Sequence, residues 1–493
     1  MIALLLATLL VPHQPLAQTL EKNASHPYEL RLQRGQSAEV VVTQDGVDVI
    51  VDIVSPRAVL LDAIDGPTGR RGDEIAEVLA REAGTFTLRV HPFDANEPEG
   101  RYRIELRELR SARATTALLE TRRAKRAAAT EWLRAHTSSI ADVAKRATVI
   151  ALGEATHGSR EFGDRRLALT RELIEKHGFR VIAIEASSDE SAEEKAGGWI
   201  GVRTRRALLA WLNEWNAAHP GDRVRLAGVD AQGNERSRRT IAPLIEDTLR
   251  ARWAAAEKEL AAADEQTLVF GNSDISTETR QFLFELVARL SLDAPLLRAR
   301  GVDVDRALEA AQNLATFADF NSNGRSRDWH MAARVLRAAN GQRTVFWAHN
   351  AHVAARGQTA GAFLRAALGC AYAPLALTFG QGSFVAQIPN DPEDRLAVST
   401  LDAPAEESFE NVLAPLASTM TAWPCGTDPA SAPEWLRAPH AMHWVGGLWI
   451  PGSVASAATR RFDLLQDFDG VVFIPNVTAE EVPVPRPVIP ARQ

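Results

Sequence analysis

Only two cysteines, Cys370 and Cys425, occur in 493 residues, and that scarcity removes whole classes of chemistry. Two isolated thiols without a histidine at ligand spacing serve a zinc ion poorly, and no C-x-x-C pair is present for redox exchange. Also missing are a G-x-S-x-G nucleophile elbow, a P-loop and an H-E-x-x-H zinc helix. Charge of one sign is lacking too: a net −7 is small for this length and gives no reason to expect a nucleic-acid partner. Beyond the first ten residues there is no run of 18 apolar residues, so stable membrane insertion is not expected.

What is present is an ordinary globular composition, 45% hydrophobic and 24% charged, in a chain long enough for two or more domains. The opening Met1–Leu10, MIALLLATLL, is too short to cross a bilayer and is followed by Pro12, Pro15 and Ala17. It reads as a signal peptide over 1–18, cut near Ala17–Gln18, although no Lys or Arg precedes it; a buried first strand or helix is the competing reading. Export to the periplasm or the extracellular space follows from the first reading. There Cys370 and Cys425 either pair as a disulfide or stay as two buried free thiols.

Residues 25–110 read as a small all-β sandwich. The segments 28–33, 38–44, 47–54, 84–93 and 102–109 alternate or are rich in β-branched residues, and Gly, Asp and Pro clusters separate them. No catalytic pattern gathers there, since His26 and His91 stand alone. Residues 111–146 read as a helical linker, with Arg122, Arg123, Lys125 and Arg126 on a solvated face. From 147 to 478 short apolar strands alternate with amphipathic helices, which predicts an α/β fold with a helix-flanked, largely parallel sheet. A helical insertion over 236–340 interrupts that pattern, and 479–493 form a Pro-rich tail expected to be flexible.

The chemistry is expected where the strands of this second domain stop. The strand 147–153 runs into Glu154 and His157, 179–184 into Glu185, 224–229 into Asp230, and 343–348 into His349 with His352 three residues later. In an open α/β sheet the carboxyl ends of the strands face the ligand crevice, so these side chains converge if the strands are parallel neighbours. One acidic residue after a strand usually just caps the next helix. Four such endings, two with histidine, point to a site. In the helix that follows, Arg166 shares a face with Phe162, Leu169 and Leu173, so it either snorkels outward or meets Glu154 or Glu185. Ser383 in GQGSF sits in a turn rather than an elbow, which leaves attack by activated water as the simpler mechanism.

The motifs GEATHG (153–158), AIEA (183–186), GVDAQ (228–232), RDWHMA (327–332), WAHNAH (347–352), GSF (382–384) and FDGVVFI (468–474) occur in an order that resembles the erythromycin esterase family. The resemblance covers most of 140–475; the β-rich region lies outside it and looks like an accessory domain of a secreted enzyme. It implies hydrolysis of an ester, in the best-known members the macrolactone of macrolide antibiotics. Position by position it implies His157 as general base, Glu154 and Glu185 as paired carboxylates, Arg166 as the active-site arginine and His349 as a second histidine. His352, Arg327 and Asp328 fall in the matching motifs as supporting residues, and Asp230 is added by the strand-end argument.

The expected partner is a small-molecule ester, with no cofactor and no metal, because Arg166 competes for the carboxylates a metal would need. The leader and the extra domain depart from the family pattern and weigh against a cytoplasmic drug-inactivating role. Two alternatives stay open: a metal-dependent hydrolase or peptidase with His349 and His352 as ligands, and a non-catalytic protein that holds an anionic or glycosylated ligand at Arg166.

Overall fold

The computed structural model describes residues 7–66, 69–93, 97–187, 189, 201–265, 275–322, 326–389, 391, 395–417, 420–451, 453 and 458–481. The chain divides into two compact units, one built mainly from Met1–Glu131 and the other from most of the remainder.

The first unit is a sandwich of β1 (Thr8–Leu9), β2 (Leu16–Leu20), β3 (His26–Leu32), β4 (Ser37–Asp45), β5 (Val49–Val54), β6 (Leu60–Ile64), β7 (Arg71–Leu79), β8 (Gly84–Pro92) and β9 (Gly100–Arg110). One sheet has the order β1-β3-β8-β5-β6 and the other β2-β9-β4-β7. Alternate residues of each strand point inward, so Val40, Val42, Val49, Val51, Phe86, Leu88, Ile104 and Leu106 fill one core. The five strands expected from alternation are all present. β6 and β7 escape the sequence pattern because β6 is half exposed and β7 buries charged Glu74 while turning apolar Ile75 and Leu79 outward.

Leu16–Leu20 runs antiparallel to β9, from Leu16 opposite Ile104 to Leu20 opposite Gly100, and Leu10 and Leu20 are buried in the sandwich core. A cut at Ala17–Gln18 would split this strand. The linker helix spans Ala112–Ala135, and its basic face is not simply solvated: Arg122 makes two 2.7 Å hydrogen bonds to the Glu77 carboxylate, and Arg126 is buried.

The second unit holds β10 (Val149–Leu152), β11 (Val181–Ser187), β12 (Arg225–Asp230), β13 (Thr344–Trp347), β14 (Tyr372–Gln387), β15 (Leu396–Leu401), β16 (Met420–Ala422), β17 (His440–His443), β18 (Thr459–Phe462) and β19 (Gly470–Val477). The main sheet runs β12-β11-β13-β10-β14-β19-β16, with β15 added on β14, and β17 with β18 makes a separate ribbon. The first six strands of that order are mutually parallel; β15 and β16 are antiparallel. Every residue of β10 and β13 is buried, as in a parallel sheet covered on both faces, which explains why these strands read as unbroken apolar runs. The helix Arg160–His177 packs on β13 and β19, and Arg327–Ala339 on β11 and β12. Cys370 and Cys425 are joined in a disulfide.

Between β12 and β13 lies the helical insertion: Glu235–Ile241, Arg250–Glu265, Thr277–Leu292, Ala294–Ala299, Val304–Ser322 and Arg327–Ala339. It has a core of its own around Trp253, Leu260, Phe282, Leu286, Leu314 and Phe317. Buried Arg334 ties that core to the sheet, donating to the Asp230 carbonyl and to Asn313 Oδ1, both at 2.9 Å.

The strand ends are fixed from below by Asn350. Its amide donates to the Leu377 carbonyl at 2.9 Å and accepts from the Leu377 N–H at 3.2 Å, while its own N–H donates to the Glu154 carbonyl at 2.8 Å. Gly153 makes room for it, since a Cβ there would lie 2.1 Å from Asn350 Oδ1. Replacing Asn350 with Ala orphans buried backbone groups of Leu377 and is expected to cost about 2–4 kcal/mol. The measurement is the urea unfolding midpoint against wild type, with an unchanged m-value.

Candidate active site

Glu154, His349, Glu185 and Asp230 stand at the carboxyl ends of β10, β13, β11 and β12, which are four consecutive strands of the sheet. Parallel register brings them together although they span almost two hundred residues. Glu154 is 5% exposed and carries a partner on each oxygen: Arg166 Nη2 at 2.6 Å on Oε2 and His157 Nδ1 at 2.7 Å on Oε1. Arg166 therefore points inward and meets Glu154, not Glu185, with its guanidinium 4.8 Å from the Trp347 ring centroid. Burial alone would push the Glu154 carboxyl up, but Arg166 and the His157 hydrogen bond bring it net below its ordinary value. A carboxylate only accepts, so His157 Nδ1 donates, and a deprotonated His157 presents its Nε2 lone pair to the cleft.

Glu185 is held from three sides. Oε2 accepts the His349 N–H at 2.7 Å, while Oε1 faces Arg327 Nη2 and His352 Nε2, each at 3.3 Å. Burial opposes its ionisation, and His352, His157 and Arg327 together reverse that and hold the carboxyl well below its usual range. Asp230 does not reach the cleft; it grips Arg327 through two hydrogen bonds of 2.6 and 3.1 Å and so aims it at Glu185. Asp328 accepts from His352 Nδ1 at 2.8 Å and from the Ala360 N–H at 2.7 Å.

The three histidines are set apart by their surroundings. His352 has a carboxylate on both ring nitrogens; burial would lower it, but Glu185 and Asp328 raise it to about 10 and make it a cation. His349 is 3% exposed, and burial followed by the charge of the neighbouring His157 lowers it to about 3. Its Nδ1 accepts the Ala351 N–H at 3.2 Å, so its proton sits on Nε2, 3.3 Å from the Ala155 carbonyl. The rings of His157 and His349 lie 5.4 Å apart, and Trp444 packs edge-on against His349 at 4.7 Å.

Among the described residues no group of three or more His, Cys, Asp and Glu is arranged to hold a metal. The donor chemistry fits one poorly, because His352 as a cation has no lone pair and His349 spends its own on a helix cap.

Four residues of this region are invisible to strand-end reasoning. Trp444 is placed by the loop 444–446, which hydrogen-bonds across the Ala155–His157 turn. Ser159, Thr204 and Glu480 line the cleft with Glu154, His157, Arg166, Glu185 and Trp347. Glu480 falls in the tail expected to be flexible, yet it is 5% exposed, its N–H donates to the Gly158 carbonyl at 2.9 Å, and Oε1 accepts from Thr204 Oγ1 at 3.1 Å. The tail from 482 onward lies outside the described residues. No motif or period marks Glu480; its place comes from β19 running on past the first turn of helix Arg160–His177.

Comparison with known proteins follows the same lines. The family model described as erythromycin esterase matches residues 174–477. A curated relative, erythromycin esterase type I of Escherichia coli, is 23% identical over 259 residues, which is 43% of this chain and 64% of its own length. Similar solved structures include a Bacillus cereus protein (17% identity, 72% of this chain and 98% of that one, TM-score 0.58). A succinoglycan biosynthesis protein (17%, 74% and 99%, TM-score 0.55) shares the fold as well. So does an erythromycin esterase mutant, EreC in its open conformation (19%, 69% and 93%, TM-score 0.50).

The His352 cation gives a pH signature. Its folded value of about 10 exceeds the ordinary 6.5, so the stability it contributes is complete below about 6.5 and is lost as the pH rises through about 10. Melting temperatures of wild type should fall between pH 7 and 10.5, and His352→Gln should show a distinctly shallower fall.

Proposed function

Because this chain belongs to the erythromycin esterase family, we propose that it is a hydrolase that cleaves an ester or lactone with water activated by His157. The observation that carries this reading is the unbroken Arg166–Glu154–His157 series, with contacts of 2.6 and 2.7 Å, opening on a cleft at the strand ends. Glu154 fixes the ring so that Nε2 faces the cleft and compensates the imidazolium that forms, the role a carboxylate plays in other hydrolytic sites.

Water gives its proton to His157 Nε2 as its oxygen bonds to the carbonyl carbon. The carbonyl electrons move onto oxygen and Arg166, whose Nε is buried without a hydrogen-bond partner, stabilises that oxyanion. The oxyanion then collapses, the bond to the alcohol oxygen breaks, and His157 returns its proton to the departing alkoxide. His349, uncharged, packs its ring against the base, and Trp444 packs edge-on against His349. A donor to the oxyanion is typically worth about 3–4 kcal/mol. The macrolactone hydrolysed by relatives is a candidate substrate, and the Cys370–Cys425 disulfide supports an oxidising compartment for the folded chain.

The test is turnover of erythromycin and of p-nitrophenyl butyrate, before and after exhaustive chelation. Wild type should hydrolyse at least one, and chelation should leave the rate unchanged. His157→Ala should lose at least about 10²-fold of that rate, within the range of general-base removal, while melting within a few degrees of wild type. Full activity in His157→Ala would refute the assignment.

A further inference from the structure

One side of the cleft carries polar groups that the hydrolytic steps do not use. Ser159 stands at the N-terminal boundary of helix Arg160–His177, where a serine hydroxyl ordinarily accepts a hydrogen bond from the first turn, but here it makes no such bond. The residue is 2% exposed, its Oγ is buried without a hydrogen-bond partner among the described residues, and it lines the cleft. Next to it comes Glu480. Ala479 bridges Ser159 in antiparallel fashion, and the Glu480 N–H bonds to the Gly158 carbonyl at 2.9 Å. Glu480 Oε1 is taken by Thr204 at 3.1 Å; Oε2 has no hydrogen bond among the described residues.

This segment is laced down firmly. Thr478 gives its N–H and its hydroxyl to Glu161, each at 2.7 Å, and the Ala479 N–H donates to Ser383 Oγ at 2.9 Å. Gly163 lets the helix Val202–Ala218 come close enough for Thr204 to reach Glu480, since a Cβ at 163 would lie 1.8 Å from Thr204 Oγ1. A buried hydroxyl left unmatched inside so much fixed structure is costly unless something fills its hydrogen-bonding capacity, because buried polar groups are normally paired, and Glu480 Oε2 beside it keeps a free acceptor.

We infer that Ser159 and Glu480 form a subsite that binds a hydroxyl group of the substrate, so that the enzyme selects hydroxylated esters over plain aliphatic ones. The inference rests on the hydrolase reading only for the words substrate and ester; the subsite itself is read from the geometry. A substrate hydroxyl can accept from Ser159 Oγ and exchange a second hydrogen bond with Glu480 Oε2. Glu480 Oε2 accepts from that hydroxyl while its Oε1 stays with Thr204. A site built around a hydroxyl discriminates strongly against analogues that lack it, because its own polar groups are then left unpaired.

The experiment compares methyl butyrate, methyl 2-hydroxybutyrate and methyl 3-hydroxybutyrate. Turnover is followed by proton release in wild type, Ser159→Ala and Glu480→Ala. Binding of the same three esters is followed by saturation-transfer NMR in His157→Ala and in that variant combined with Ser159→Ala. The expected result is a preference of about 10-fold or more for one hydroxy ester over methyl butyrate, both in kcat/KM and in affinity. It should shrink to within about 3-fold when either subsite residue is truncated, mainly through KM.

No preference for either hydroxy ester, or a preference intact in both truncated variants, overturns the subsite. Preferential binding lost with Ser159, in a wild type that turns over neither these esters nor erythromycin nor p-nitrophenyl butyrate, upholds the subsite and removes the hydrolase reading. Turnover without preference does the reverse.

Discussion

Buried charge has to be matched, and at the mouth of this sheet that requirement sets nearly everything else. Glu154, Glu185, Asp230 and Asp328 crowd into one region, and each meets a cation: Arg166 for Glu154, Arg327 for Asp230 and Glu185, His352 for Glu185 and Asp328. In the proposed reaction His157 acquires a positive charge when it takes a proton from water. Its Nδ1 already lies 2.7 Å from Glu154, so the charge appears beside a carboxylate held in place by Arg166. Stabilisation prepared before the reaction costs no reorganisation during it.

The same economy separates three histidines that composition alone would treat as alike. Two carboxylates hold His352 as a cation at neutral pH, where it fixes Glu185. Burial and a helix-capping bond keep His349 uncharged. His157, 24% exposed at its side chain, is the ring that lines the cleft, and the proposed reaction assigns proton transfer to it while the other two hold the frame.

That frame is rigid because it is tied on three sides. Asn350 locks the ends of β10 and β14 from within the sheet, the loop 444–446 bonds across the Ala155–His157 turn, and the segment 478–480 bonds along the start of helix Arg160–His177. Arg334 adds a fourth tie, from the helical insertion to the tip of β12. A cleft assembled from strands so distant in sequence depends on such ties to keep its side chains within hydrogen-bond reach.

Local sequence was enough to read the apolar strands of the parallel sheet, the switch to helices over 236–340, and the ionisable residues that end each strand, because these are matters of period and of burial on both faces. It also supported an inward Arg166, since a charged residue on an apolar stripe needs a partner, but periodicity could not choose between Glu154 and Glu185. Strand order made that choice: β13 lies between β10 and β11 and separates the two glutamates, so that helix Arg160–His177 delivers Arg166 to one of them. The first strands of the sandwich, Thr8–Leu9 and Leu16–Leu20, were hidden because they are short and scarcely alternate, and only their pairing with β3 and β9 defines them. Glu480, Ser159, Thr204 and Trp444 were hidden for a related reason. Their roles come from contacts between segments tens to hundreds of residues apart, and such contacts leave no period, spacing or composition in the chain that makes them.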